Sequence, residues 1–282
     1  MNSQNLKSGC KDVLNGVLGV TEEDSLLIVT DDPKIEIGTS FYKAGQEITQ
    51  QILLVSYPPP ASGGKEPPEE VGELMKKYDV FIGPTSRSLT HTKARKNASN
   101  FGARGITLPG IEKRMLQSGV TETDYNEVAD ATTKLAQFLN GTDKIRLTSD
   151  GGTDLEFDVH GGEWFAERGL YDKPGDFGNF PGGEVSIAPV DVNGKFVVDG
   201  SINEIGKISS PIEIEIKDRK IQSIEGPDSS ILWEYLKKHG ESAFNIAELG
   251  IGMNPRAQIT GTILEDEKVL GTVHVGIGDN SN

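Results

Sequence analysis

The sequence predicts an α/β protein of two domains: an N-terminal doubly wound parallel sheet over residues 1–142, and a β-rich, mixed-sheet domain over residues 143–282. Three observations carry this reading. The length of 282 residues exceeds the ~100–150 residues usual for one domain. In the first half, short apolar runs alternate with helical stretches, the pattern of right-handed strand–helix–strand crossovers. In the second half, strand patterns follow one another almost without helices between them.

Leu26-Leu27-Ile28-Val29-Thr30 is apolar on both faces, as a buried parallel strand requires, and Asp31-Asp32-Pro33 turns the chain into a helix from about Lys34. Further strands of this kind are predicted at 52–55, 79–83 and 105–108. The segment 58–68, rich in Pro and Gly, and a helix over 71–77 separate the first two; a helix over 90–100 leads into the third. Val128, Ala131, Leu135 and Leu139 recur at helical spacing and predict an amphipathic helix over 124–139, stopped by Asn140-Gly141. Beyond it, strands are predicted at 144–148, 155–159, 184–188, 195–198, 212–216, 220–224, 258–262 and 272–275, with one helix over 229–239. Strict alternation marks these as half-buried strands of a mixed or antiparallel sheet.

Composition narrows the function. A net charge of −15 repels phosphate backbones and anionic lipid, and the densest basic stretch is only Lys93-Ala94-Arg95-Lys96. With aromatic residues at 6%, stacking platforms for bases are not expected either. No nucleic-acid and no membrane partner is expected. Cys10 is the single cysteine, so neither an intrachain disulfide nor a thiolate-rich zinc site is available. No signal-peptide pattern and no apolar run of ~20 residues is visible, and a cytoplasmic location is expected.

Three places combine a ligating side chain with glycine-punctuated backbone. Gly178-Asn179-Phe180-Pro181-Gly182-Gly183-Glu184 delivers a carboxylate to the start of an apolar strand, where Glu184 is either a rigidly held ligand or an exposed residue opening an edge strand. Glu248, within Ala247-Glu248-Leu249-Gly250-Ile251-Gly252, is a lone carboxylate in an apolar run. If buried it needs a partner or a metal; a shifted register would put it in solvent. His274, in Val273-His274-Val275-Gly276-Ile277-Gly278, is a core histidine or a ligand. Jointly, two carboxylates and one imidazole suggest a site for a borderline divalent metal such as zinc, cobalt, manganese or iron(II).

Other candidates are weaker. Gly151-Gly152-Thr153-Asp154 follows a strand but lacks the spacing of a nucleotide-binding loop, and no serine nucleophile elbow occurs. His91 begins a predicted helix, where capping explains it and substrate contact is the alternative; His160 reads as a turn residue, and His239 lies in a helix's last turn.

Seven segments in order also resemble one family. They are Ser88-Leu89-Thr90-His91-Thr92-Lys93-Ala94-Arg95, Leu108-Pro109-Gly110-Ile111, Asp124-Tyr125, Gly152-Thr153-Asp154-Leu155, and the stretches 178–189, 247–252 and 274–278. Together, from about residue 20 onward, the sequence resembles the aminopeptidase T and aminopeptidase S metallo-exopeptidases, a group that also contains 2,5-dihydroxypyridine dioxygenase. The resemblance implies a homodimeric, two-metal aminopeptidase releasing N-terminal residues from short peptides, with Glu184, Glu248 and His274 as ligands and zinc, cobalt or manganese as the ions. It identifies no general base. Its alternatives are a mononuclear iron(II) ring-cleaving dioxygenase acting on a small molecule, or a non-catalytic relative that keeps the fold. The family's remaining ligands lie in a His-x-Asp motif downstream of His274, so the resemblance also implies a second domain cut short in the loop at Asn280-Ser281-Asn282.

Overall fold

The computed structural model describes residues 3–278, and the loop at Asn280-Ser281-Asn282 lies outside the described residues. The chain forms two compact units, each made of two segments of the sequence. The first runs up to Ala129 and includes Arg168–Gly182; the second comprises Asp130–Glu167 and the chain from Gly183 onward. The sequence reading has a single cut after residue 142, whereas these units interleave.

The first unit is built on a five-stranded parallel sheet in the order Ile52–Tyr57, Leu26–Asp31, Val80–Gly83, Arg104–Thr107, Phe177–Asn179. Leu26–Asp31 is buried along its whole length, as its unbroken apolar run requires. Leu27, Val29 and Phe81 pack with Val71, Met75, Leu89 and Ala98 in one cluster. The helix predicted from residue 90 begins at Lys93 instead, because the Thr92 side chain accepts the Arg95 amide and caps it there. The first helix and the last strand of this unit were not predicted. The helix Ser3–Gly16 buries Cys10, Val13 and Leu14, and Phe177–Asn179 is a three-residue strand recruited from the far side of the second unit's first segment.

A buried ion pair ties this unit's first loop to its sheet. Arg104 donates to Asp24 Oδ1 and Oδ2, each at 2.9 Å, and to the Leu18 carbonyl at 2.9 Å. Burial would raise the Asp24 carboxyl, but the Arg104 and Thr21 hydrogen bonds outweigh it and hold the carboxyl below its ordinary value. A depressed carboxyl contributes stability above the ordinary carboxylate range, lost as pH falls through the depressed value. Asp24→Asn is therefore expected to lower the unfolding free energy by about 3 kcal/mol near neutrality, because Arg104 is left buried and uncompensated. The deficit should shrink at an acid pH well below the ordinary carboxylate range, as the wild type protonates. Urea denaturation at the two pH values checks this, and a deficit independent of pH would refute it.

The second unit carries two larger sheets, and every pairing within them is antiparallel, one of the two arrangements the alternation allowed. A five-stranded sheet runs Lys220–Glu225, Ile212–Lys217, Asp191–Val198, Asp154–Asp158, Lys144–Thr148. A four-stranded sheet runs Val273–Ile277, Ile246–Gly252, Glu184–Ile187, Phe165–Glu167. In Ile212–Lys217 the isoleucines are buried and the charged residues between them exposed, as period-two alternation demands. Leu155, Phe157, Val185, Ile187, Ile214 and Leu249 share one apolar core.

The strand predicted at 258–262 does not form. The amides of Thr260 and Gly261 donate to the Asp266 carboxylate at 2.7 and 2.9 Å, and the Gln258 amide donates to Glu265 at 3.2 Å. These donors go to side chains instead of a neighbouring strand. Among the described residues no helix is long and apolar enough to cross a membrane.

Candidate metal centre

The four-stranded sheet of the second unit brings together the three residues singled out from the sequence. Glu184 opens the strand Glu184–Ile187, Glu248 lies in Ile246–Gly252, and His274 lies in Val273–Ile277. Each offers one ligand atom, and these atoms lie within 4.8 Å of one another. Of the sequence alternatives, an exposed Glu184 is ruled out, since it is 6% exposed, and Glu248 is half-buried.

Glycines make the convergence sterically feasible. Gly250 pairs with His274 on one side and Ser186 on the other. A Cβ at Gly250 would lie 2.1 Å from His274 Nε2, so the imidazole fills the space that a side chain would take. Gly276 stands opposite Glu248 beside a β-bulge, and a Cβ there would come within 2.8 Å of the Glu248 Cβ.

Charged residues that the sequence reading did not single out complete the cluster. Lys268 is 3% exposed, and its ammonium meets Glu167 Oε2 at 2.8 Å, Glu267 Oε2 at 3.3 Å, and Glu184 Oε2. Glu167 pairs directly across from Glu184 on the neighbouring strand. Backbone pairing pulls Lys268 inward: the Asn254 amide donates to its carbonyl at 2.7 Å, and the Leu270 amide returns to Asn254 at 3.0 Å. Glu265-Asp266-Glu267-Lys268 has the composition of a solvated turn, which is why its sequence gave no warning.

Electrostatics divides the two carboxylates. Burial would raise Glu184, but the Lys268 charge and then His274 outweigh it, so its carboxyl sits below the ordinary range. Glu248 moves upward, first from burial and then from the Glu184 charge, with a Ser186 hydrogen bond opposing. Burial would lower His274, yet the Glu184 carboxylate raises it on balance. The His274 Nε2 to Glu184 Oε1 distance of 3.7 Å is a charge contact, too long for a hydrogen bond. His274 Nδ1 is buried without a hydrogen-bond partner.

This donor set fits a divalent cation. Glu167, Glu184, Glu248 and Glu267 place four carboxylates against one ammonium, a surplus of negative charge that adds to burial in raising Glu248 and that a divalent ion would relieve. Two oxygens and an imidazole nitrogen are ligands that borderline metals accept.

The remaining candidates lie outside this cluster. Gly151-Gly152-Thr153-Asp154 is a hairpin turn, with Arg146 gripping Asp154. His160 accompanies Asp158 at 2.6 Å in an exposed turn, and His239 closes the helix Ser229–His239 against Tyr235. His91 precedes the helix Lys93–Asn100, whose cap is Thr92. Burial and then Arg95 and Lys96 keep His91 below its ordinary pKa.

The profile of the family described as 2,5-dihydroxypyridine 5,6-dioxygenase (NicX) matches residues 19–275. Among solved structures, 2,5-dihydroxypyridine dioxygenase from Pseudomonas putida KT2440 superposes with a TM-score of 0.83 at 17% identity, over 100% of this chain and 88% of that one. Wild-type AmpT from Thermus thermophilus superposes with a TM-score of 0.63 at 13% identity, over 97% of this chain and 85% of that one. At such identities these two likenesses speak to the fold alone. No protein with a curated description matches. The match falls on the dioxygenase that the resembled group contains, so the metallo-aminopeptidase reading is corrected: the matching family is described as a dioxygenase, not as a hydrolase or protease. The motifs carrying the resemblance belong to a group spanning both chemistries, so they could not separate them.

Proposed function

Because this chain belongs to the 2,5-dihydroxypyridine 5,6-dioxygenase family, we propose that it is a metal-dependent dioxygenase that opens the ring of a hydroxylated pyridine between C5 and C6. The family match over residues 19–275 carries the reading, and the convergence of Glu184, Glu248 and His274 supports it. These three residues would hold the metal, iron(II) in this reading in place of zinc, cobalt or manganese. When bound, such an ion supplies the one-electron exchange that an electron-rich ring needs to react with dioxygen.

The protein's own residues set the charge and geometry around that ion. Lys268 fixes Glu184 through Oε2 and leaves Oε1 towards His274. Ser186 holds Glu248 by a hydrogen bond, and the upward shift of Glu248, against the downward shift of Glu184, makes its carboxyl the better of these two at keeping a proton when no cation neutralises it. The glycines at 250 and 276 keep the imidazole and this carboxylate on one face of a rigid sheet.

The test is oxygen uptake. Protein reconstituted anaerobically with iron(II) should consume one dioxygen per 2,5-dihydroxypyridine and carry both atoms of ¹⁸O₂ into the ring-opened product. Failure to consume oxygen with any hydroxylated pyridine would sink the reading. Peptide hydrolysis with zinc or cobalt would restore the hydrolase.

Glu248→Gln supplies a test on stability. Removing a charge that Glu184 repels is expected to raise the melting temperature of the metal-free protein by about 2–4 °C. The same change should erase the stabilisation by added metal, about 2.7 kcal/mol at a hundredfold excess over Kd in the wild type. A variant that still gains the wild-type increment would show that Glu248 is not a ligand.

A further inference from the structure

We propose that the ammonium of Lys268 occupies the second cation position of this site, so that the chain holds a single metal ion with lysine as its built-in companion charge. The inference rests on the metal-site reading above and concerns how many ions that site takes.

A carboxylate that bridges two cations presents one oxygen to each, and paired ions in hydrolytic sites share their bridging ligands in this way. Glu184 has this arrangement, with Oε2 on the Lys268 ammonium and Oε1 facing His274. The far side of Glu184 is thus already claimed. Lys268 is not a surface residue that happens to reach in. Its side chain is 3% exposed, and its backbone is pinned by the Asn254 amide at 2.7 Å. An ammonium has three N–H donors, and three carboxylates, of Glu167, Glu184 and Glu267, surround this one.

Without the lysine, those three carboxylates would form an oxygen-rich nest of the kind that holds a hard or borderline divalent ion. With it, a second divalent ion would have to displace a buried ammonium from all three partners. Lys268 is accordingly a positioning residue that selects the number of ions and fixes which oxygen of Glu184 faces His274.

The experiment uses manganese(II) alone as the probe, with the full chain, reading bound ions per chain by elemental analysis and their separation by electron paramagnetic resonance. Wild type is expected to bind one manganese with the spectrum of an isolated ion. Lys268→Met, which empties the nest, is expected to bind two, with spin coupling between them, and Lys268→Arg to return to one. Lys268→Gln keeps hydrogen-bond donors for the carboxylates and is measured where Lys268→Met does not fold; it too should bind two. A structural role alone would lower the ion count, never raise it. Two coupled ions in the wild type, or a single ion in the folded Met or Gln variant, would overturn the inference while leaving the metal site standing. No ion in the wild type would instead overturn the metal-site reading itself.

Discussion

His274→Ala is expected to abolish iron binding and to reduce ring cleavage by at least about 10³-fold. Losing a residue that merely orients a metal ligand typically costs ~10–100-fold, and His274 is the one nitrogen donor among the three converging residues. Without the imidazole, Glu184 and Glu248 are left as adjacent carboxylates with no neutral ligand between them, where burial and then the Glu184 charge already raise Glu248. The fold should survive, because His274 lies on an edge strand whose backbone pairing with Ile246–Gly252 does not use the side chain. The vacated space borders Gly250, which has no side chain to collapse into it. Added imidazole is therefore expected to restore part of both iron content and oxygen uptake. Elemental analysis and an oxygen electrode, with and without imidazole, decide the matter; a metal-loaded, active His274→Ala protein would remove this histidine from the site.

The parts of this site legible in the sequence were those whose signal is local. Glu184, Glu248 and His274 each broke an apolar or glycine-punctuated run, where a polar side chain needs a reason to be present. Lys268 and Glu167 were illegible for the opposite reason. A lysine after Glu265-Asp266-Glu267, or a glutamate ending the three-residue strand Phe165–Glu167, has the local character of surface; only pairing with residues far along the chain buries them. The same distinction runs through the fold. Leu26–Asp31 and Ile212–Lys217 declared themselves by apolar run and by alternation. Residues 258–262 alternate just as well, but buried carboxylates a few residues downstream took their amides. Phe177–Asn179 is too short, and carries a glycine, so its place in the first unit's sheet comes from its partner Arg104–Thr107. The choice between hydrolase and oxygenase was not local at all, since one set of oxygen and imidazole ligands serves both chemistries.

Gly250→Ala should be nearly as damaging to metal binding as loss of the histidine, although it removes no ligand. Gly250 lies between Ser186 and His274 in the sheet. A methyl group there would stand 2.1 Å from His274 Nε2 and 2.2 Å from Cε1, far inside van der Waals contact. Either the imidazole rotates away from Glu184 and Glu248, or the strands Ile246–Gly252 and Val273–Ile277 part locally. The first is less costly, since one ring can turn on an edge strand more easily than a paired ladder can open. Overpacking of this kind costs about 1–3 kcal/mol of stability, and a displaced ligand costs upward of ~100-fold in metal affinity. The expected signature is a fold that melts cooperatively with a modestly lowered denaturation midpoint. Its oxygen uptake should be deficient at low iron and partly recover as iron is raised, because the ligand is misplaced and not missing. A competitive iron titration run beside urea denaturation separates these effects. Unchanged iron affinity together with reduced stability would mean that the imidazole beside Gly250 packs against the metal position without binding it, and Glu184 and Glu248 would then have to find their nitrogen partner elsewhere.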